Sequence, residues 1–334
     1  SSADGCYLID TEGKRYLDGV SSLWVNVHGH CNQHINRRIV EQLKNVAHTT
    51  LLGLANEPSS LLARDLVQVA PDGLEKVFYS DNGSTAVEIA LKMCFQYWKH
   101  IDPQSGRHHF IHLEHSYHGD TLGAVAVGGI ELFHEIYSPL LHDNYSIEAP
   151  YCYRCTKNLS PDRCGFRCLD SLDALLASRA DDVAALIMEP VVQGAAGMIV
   201  QPEGYVSEVV RRCREAGVLV IFDEVATGFG RTGVMFASEH EGVSPDVLCL
   251  AKGLTGGYLP LAATLVTRRI FDAFLGEYSE QKTLFHGHTY TGNQLACAAG
   301  LANLELFRQE KTIQAMQPKI EILTRKLTEM QDLE

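Results

Sequence analysis

A lysine stands in Ala251-Lys252-Gly253-Leu254-Thr255-Gly256-Gly257, directly after the apolar run Val247-Leu248-Cys249-Leu250. A short interval upstream, Val218-Leu219-Val220-Ile221-Phe222 ends on Asp223. A lysine at the end of a buried run is costly unless it is neutralised or covalently used, and a buried carboxylate needs a partner. One chemistry meets both demands. The amine condenses with an aldehyde as a Schiff base, and the carboxylate holds a protonated pyridine nitrogen. Pyridoxal 5'-phosphate (PLP) carries both groups and serves as an electron sink. Once freed, Lys252 is a general base of lowered pKa. The competing readings are a surface lysine, which the glycines and the apolar run disfavour, and a structural ion pair between Asp223 and Arg231.

A phosphate needs donors. Asp81-Asn82-Gly83-Ser84-Thr85 follows a short apolar run and opens a helical pattern with Val87, Leu91, Cys94 and Trp98 on one face. Thr85-Ala86-Val87-Glu88 has the form of a capping box. Free N–H groups at that helix start, with the Ser84 hydroxyl, would cradle an anion; taken alone, an ordinary capped helix fits as well. Ser116-Tyr117-His118-Gly119-Asp120-Thr121 follows another strand. Tyr117 can stack on a cofactor ring, whereas His118 reads more readily as a satisfied core or turn histidine. Glu189, in Met188-Glu189-Pro190, either positions groups around the ring or marks a solvated strand end. In Phe285-His286-Gly287-His288-Thr289-Tyr290-Thr291-Gly292-Asn293, Thr289 can donate to a phosphate, or the segment is a plain capped loop.

The elements that must position these residues are short apolar runs alternating with helical patterns. Strands are expected at 77–79, 110–113, 183–188, 218–222, 247–250 and 262–266, with helices over 85–98, 204–216, 295–307 and 313–330. Residues 6–17 alternate as a hairpin around Thr11-Glu12-Gly13-Lys14. This is an α/β pattern, a mostly parallel sheet covered on both faces, with ligands at the carboxyl ends of its strands.

Composition narrows the class. The 334 residues carry a net charge of -13, from 28 basic and 41 acidic side chains, and 46% are hydrophobic. No basic run stands out, which argues against nucleic acid or an anionic membrane as partner, and no apolar stretch approaches a membrane span. Ten cysteines in so long a chain do not resemble a disulfide scaffold, and a reducing cytoplasm fits. Cys152-x2-Cys155-x8-Cys164-x3-Cys168 has the spacing of a small zinc site, yet its intervals are irregular and no metal is assigned. The start lacks Met and the end falls in a helical pattern, so a fragment is expected.

Together these motifs resemble the class III aminotransferases, a PLP family of fold type I, over nearly the whole chain. The match runs from Tyr16-Leu17-Asp18-Gly19-Val20-Ser21-Ser22-Leu23-Trp24 through Tyr117-His118-Gly119-Asp120 and Asp223-Glu224-Val225 to the Lys252 segment and Gly292-Asn293. Three stretches look like the biotin-synthesis branch, which aminates 8-amino-7-oxononanoate: 21–30, 223–233 with Ala226 after the valine, and 286–293. The resemblance implies roles. Lys252 would bind the cofactor and transfer the proton, and Asp223 would hold the pyridine nitrogen. Gly83 and Ser84 would bind the phosphate, joined by His288 and Thr289 from the second subunit of a homodimer. Tyr117 would stack on the ring, and Trp24, Tyr117, Lys252 and Gly287 would meet the substrate. It also implies a small domain begun by residues 1–30 and resumed, incomplete, at 310–334, around a large PLP-binding domain over 31–309. The Leu23-Trp24 and His288-Thr289 pattern also occurs in members thought to use lysine, so the donor is S-adenosylmethionine or lysine. An ω-amino acid:pyruvate transaminase and a PLP-binding but inactive fragment are the alternatives.

Overall fold

Six consecutive residues of Val183–Met188 are buried, and so are all of Leu219–Asp223 and Val247–Leu250. Strands with no solvated face belong at the centre of a sheet covered on both sides. That is where a computed structural model, describing residues 1–157 and 159–331, places them. In chain order the strands are β1 (Ser2–Asp4), β2 (Tyr7–Ile9), β3 (Arg15–Leu17), β4 (Leu74–Ser80), β5 (His109–Leu113), β6 (Tyr145–Ile147), β7 (Val183–Met188), β8 (Val192–Gln193), β9 (Ile199–Val200), β10 (Leu219–Asp223), β11 (Val247–Leu250) and β12 (Ala262–Thr267). The seven-stranded sheet runs β4-β12-β11-β10-β7-β5-β6. Its neighbours from β11 to β6 pair in parallel, while β12 is antiparallel to both β11 and β4.

Side chains on these strands alternate between two cores, as the two-residue period of a strand requires. Val220, Phe222, Leu248 and Leu250 join one core, and Leu219, Ile221, Val247 and Cys249 the other. The longer helices are α1 (Gln33–Asn45), α2 (Glu57–Val69), α3 (Gly83–Ile101), α4 (Asp170–Arg179), α5 (Tyr205–Glu215), α6 (Gln294–Gln309) and α7 (Thr312–Gln331). Helices α2, α5 and α6 cover the first face through Leu62, Val209 and Leu301. The second face is covered by α3, through Ala86, Ala90, Cys94 and Tyr97.

The start of the second-face helix differs from the sequence reading. Helix α3 starts at Gly83, and its cap is Asn82, whose Oδ1 accepts from Thr85 N at 3.0 Å while Thr85 Oγ1 accepts from Asn82 N at 3.2 Å. The capping box is therefore Asn82 with Thr85, not Thr85 with Glu88. Glu88 instead accepts from Gly123 N at 2.8 Å. The expected hairpin is present as β2–β3, turned by Asp10, whose Oδ1 accepts from the amides of Glu12 and Lys14. A third strand, β1, pairs with β2. Residues 332–334, at the end of the expected 310–334 segment, lie outside the described residues.

Helix α6 connects the core to the turn that carries Lys252. Asn303, fully buried, donates from Nδ2 to Gly253 O at 2.9 Å and to Leu254 O at 3.1 Å. A buried acceptor left without its donor costs about 1–3 kcal/mol. Gly253 O keeps the Gly256 amide at 3.0 Å, so replacing Asn303 by Ala strands Leu254 O. We expect a loss of about 1–3 kcal/mol, read as a lower denaturant midpoint at constant slope. An unchanged midpoint would show that this amide does not hold the turn.

Candidate active site

Strands β4, β5, β7, β10 and β11 all deliver their carboxyl ends to one cavity of about 930 Å³, large enough for a cofactor and a small substrate. Asn82, Gly83 and Ser84 follow β4, Tyr117 and His118 follow β5, and Glu189 follows β7. Asp223 ends β10, and Lys252 follows β11. Trp24 lines the same space from the N-terminal segment. Of the residues singled out from sequence, these meet. Gly287, His288 and Thr289 do not line the cavity of their own chain. They are exposed, and His288 Nδ1 lies 3.5 Å from Asp81 Oδ2.

Asp223 is 4% exposed. Its Oδ1 accepts from Val225 N at 3.0 Å, and Oδ2 lies 2.7 Å from His118 Nδ1. A carboxylate accepts, so Nδ1 of His118 carries a proton and donates it to Asp223. These partners replace the ion pair with Arg231 that the sequence left open. Lys252 sits in a left-handed conformation, φ 43°, between β11 and Gly253. A Cβ at Gly253 would come within 2.8 Å of the Phe229 side chain, so a bulkier residue would not let the turn close. Burial lowers the Lys252 pKa below that of a free lysine, opposed by the charges of Asp223 and Glu189. Its Nζ stands 4.8 Å from the centre of the Trp24 ring.

Glu189 is 4% exposed and organises the loop after β5. Its Oε2 accepts from Tyr117 N at 3.2 Å and Oε1 from Gly194 N at 3.0 Å. Burial raises its pKa to about 7, with His118 opposing. The Tyr117 hydroxyl donates to Asp120 Oδ2 at 2.7 Å, and its ring meets Phe133 edge-on. Burial, then Asp120, pushes that phenol above its ordinary range.

The start of α3 forms a cradle. A Cβ at Gly119, φ 120°, would lie 1.9 Å from Ser84 Oγ, and one at Gly83 2.7 Å from Val225 Cγ1. The Asp120 amide donates to Ser84 Oγ at 3.1 Å. The 116–121 loop and the Val225 side chain thus close around the first turn of a long helix, where free N–H groups favour an anion. A buried amine of lowered pKa, an oriented carboxylate and an anion cradle around one cavity fit PLP.

Trp24 reaches the cavity by an unusual route. Ser21, Ser22, Leu23 and Trp24 have φ of 51°, 49°, 66° and 68°, a left-handed helical turn without glycine. Trp24 N donates to Val20 O at 2.8 Å and Val25 N to Ser21 O at 3.0 Å. Such residues cost about 1–2 kcal/mol each, about 4–8 kcal/mol for the turn. Asp18 offsets part of this, since Oδ1 accepts from Ser22 N at 2.9 Å and Oδ2 from Ser22 Oγ at 2.8 Å. Sequence reasoning missed the turn, the pairing of His118 with Asp223, and the role of Asp120. The four spaced cysteines converge on a separate small cavity of about 40 Å³. Among the described residues, no three His, Cys, Asp or Glu side chains stand as a metal-holding set. No described helix is long and apolar enough to cross a membrane.

Comparison with known proteins bears on this site. The Aminotransferase class-III family pattern matches residues 1–334. The adenosylmethionine-8-amino-7-oxononanoate aminotransferase of Geobacter sulfurreducens is 53% identical over 99% of this chain and 73% of its own length. That of Nitratidesulfovibrio vulgaris is 55% identical over 99% of the chain, which spans only 61% of that relative. The crystal structure of the Methanocaldococcus jannaschii enzyme of the same name superposes with a TM-score of 0.93 at 47% identity, covering 100% of this chain and 74% of that one. An amine transaminase from an uncultivated Pseudomonas species, solved in its PLP-bound form, gives 0.87 at 39% identity over 93% of this chain and 70% of its own. With the sheet, the cradle and the lysine in these places, the chain belongs to the PLP-dependent class III aminotransferases.

Proposed function

We propose that this chain transfers an amino group to 8-amino-7-oxononanoate, giving 7,8-diaminononanoate in biotin synthesis, with S-adenosylmethionine or lysine as donor. The observation that carries the chemistry is the convergence of Lys252, Asp223 and the α3 cradle on one cavity. The choice of acceptor rests on relatives of that name at 49–55% identity. An ω-transaminase from Thermomicrobium roseum shares the fold, with a TM-score of 0.92, but only 32% of the residues. That likeness keeps pyruvate as the alternative acceptor.

Each residue then has a task. When bound, PLP supplies the electron sink that lets an amine carbon release its proton. Lys252 Nζ takes that proton, because burial disfavours the ammonium form and lowers its pKa from the ordinary lysine value. Asp223, held by His118 and the Val225 amide, presents its carboxylate to the ring nitrogen. Gly83, Ser84 and the first α3 amides receive the phosphate. Tyr117, fixed by Glu189 and Asp120, packs on the ring, and Trp24 closes the substrate side and excludes water.

The same reading makes the protein a cytoplasmic homodimer, with Gly287, His288 and Thr289 of each copy completing the other's site. Their exposure supports this, as do exposed apolar side chains on the segment after Ile130. Leu132, in a short α-helix, and Ile136 and Leu140, in the 3₁₀ turn that follows, are 87%, 82% and 64% exposed.

Reduction of the PLP-treated protein with borohydride at pH 7 should label Lys252 ahead of the exposed lysines, and Lys252→Ala should lower turnover by about 10²–10⁴-fold. A label spread over surface lysines, or no cofactor absorption band at all, would sink the role of Lys252. A second experiment names the substrates. S-adenosylmethionine or lysine should convert the cofactor band, and 8-amino-7-oxononanoate should restore it. Restoration by pyruvate alone would select the ω-transaminase, and no conversion by any donor the inactive fragment. For the dimer, Ile136→Glu should lower the sedimentation coefficient from that of two copies toward that of one. An unchanged coefficient would place the interface elsewhere.

A further inference from the structure

The turn that carries Trp24 has no glycine to ease it and no apolar core of its own, so something outside it must set its shape. Three polar contacts converge on Asp18, whose side chain is 5% exposed although it leads into a surface loop. Oδ1 takes the Ser22 amide at 2.9 Å. Oδ2 takes the Ser22 hydroxyl at 2.8 Å and the His30 Nε2 at 2.8 Å. The Asp18 amide is itself tied to Cys6 O at 2.9 Å, and His30 is bridged to Gly5 through both backbone groups. Asp18 therefore links the two ends of the 18–30 loop to the N-terminal sheet and at the same time satisfies the turn's free amide.

The far side of the turn has no freedom to spare. A Cβ at Gly194 would touch the Trp24 ring at 3.4 Å, and one at Gly257 would press on Val25 backbone at 3.1 Å. Trp24 is thus seated between Lys252, Gly194 and a strained loop whose side-chain contacts converge on Asp18. We propose that Asp18, seconded by His30, is a positioning residue for the substrate wall: it holds Ser21–Trp24 in the left-handed turn and so places the Trp24 indole beside Lys252. This rests on the reading of Trp24 as a wall of the substrate pocket. Removing the carboxylate leaves the exposed Ser22 amide to water and lets the segment relax to right-handed backbone. The indole then leaves the cavity without any change in Lys252, Asp223 or the cradle.

The test uses the PLP-loaded protein. The chain has two tryptophans, Trp24 and Trp98, so Trp98→Phe leaves Trp24 as the only reporter. In that background, Asp18→Ala should shift Trp24 emission to the red and open it to acrylamide. It should raise the acceptor KM by about tenfold while changing kcat by less than about threefold. Ser21→Gly, added to Asp18→Ala, should restore most of both effects, because glycine adopts φ near +50° without the Cβ penalty. Ser21 does not line the cavity, so rescue there reports backbone conformation alone. Should Asp18→Ala fail to fold, Asp18→Asn, which retains the shape and one acceptor, is read the same way with smaller amplitude. Unchanged emission and KM in the Asp18 variants overturn the proposal. So does failure of Ser21→Gly to restore either readout, or an emission shift with no change in KM. If the wild-type protein converts none of the proposed substrates, the acceptor assignment falls, and the emission and rescue arms still decide the clamp.

Discussion

A carboxyl group at the inner end of a central strand must find polar partners, and the partners of Asp223 organise the rest of the site. His118 is one of them, 105 residues away in sequence and on the loop after β5. That loop is not free to drift. Glu189, at the end of the intervening strand β7, grips the Tyr117 amide, one residue from His118, and the Gly194 amide. The order β10-β7-β5 therefore acts as a ruler, since the ends of β10 and β7 each place a carboxylate on the loop that follows β5. Asp223 is oriented by His118, His118 by its neighbour's amide, and that amide by Glu189. The sheet thereby fixes the direction of the carboxylate before any cofactor arrives, the preorganisation on which electrostatic catalysis depends.

Close backbone approach is the second requirement, and it explains why the chemistry is embedded in glycines. The cradle closes because Gly119 lets the 116–121 loop run against Ser84 and Gly83 lets α3 start against Val225. On the lysine side, Gly253 accommodates Phe229, and Gly256, φ 64°, comes within 3.0 Å of Asn303 Oδ1 at its Cβ position. Lys252 has no such exemption. It holds φ 43° with a side chain, and the amide of Asn303 on the two following carbonyls keeps the turn in register. Strain at the reactive residue is thus carried by a buried polar contact from α6.

The strands at 183–188, 219–223 and 247–250 were legible because full burial leaves an unbroken apolar run, and their ends then announce the functional residues. The start of α3 was legible only approximately, since Asn82 and Thr85 both satisfy the spacing of a cap and only the backbone decides between them. Strand β6, three residues long, carries too little pattern to be read. The pairing of His118 with Asp223 has no local signal at all, because it depends on the order of strands rather than on spacing. The left-handed turn was invisible for the opposite reason. Ser-Ser-Leu-Trp contains none of the residues that normally mark positive φ, and its cause, Asp18, lies outside it.

The arrangement also has an energetic consequence that the core must carry. Glu189 and Glu224 are both buried, and burial raises each to about 7 from an ordinary 4.5. Glu224 accepts from the amides of Ala237 and Ser238, which lowers its pKa without offsetting desolvation. Between about 4.5 and 7 the folded chain therefore keeps protons that the unfolded chain has released. A group of this kind contributes its full stability below the unfolded value and loses it as pH rises through the folded one. At pH 8 both carboxylates are charged in a nearly dry interior, which opposes folding. The same charges, however, hold the Tyr117 loop and the 237–238 backbone where the site needs them. The unbroken apolar strands on either side of Asp223 supply the compensating burial, so the features that made the fold easy to read are those that let the site remain electrostatically strained.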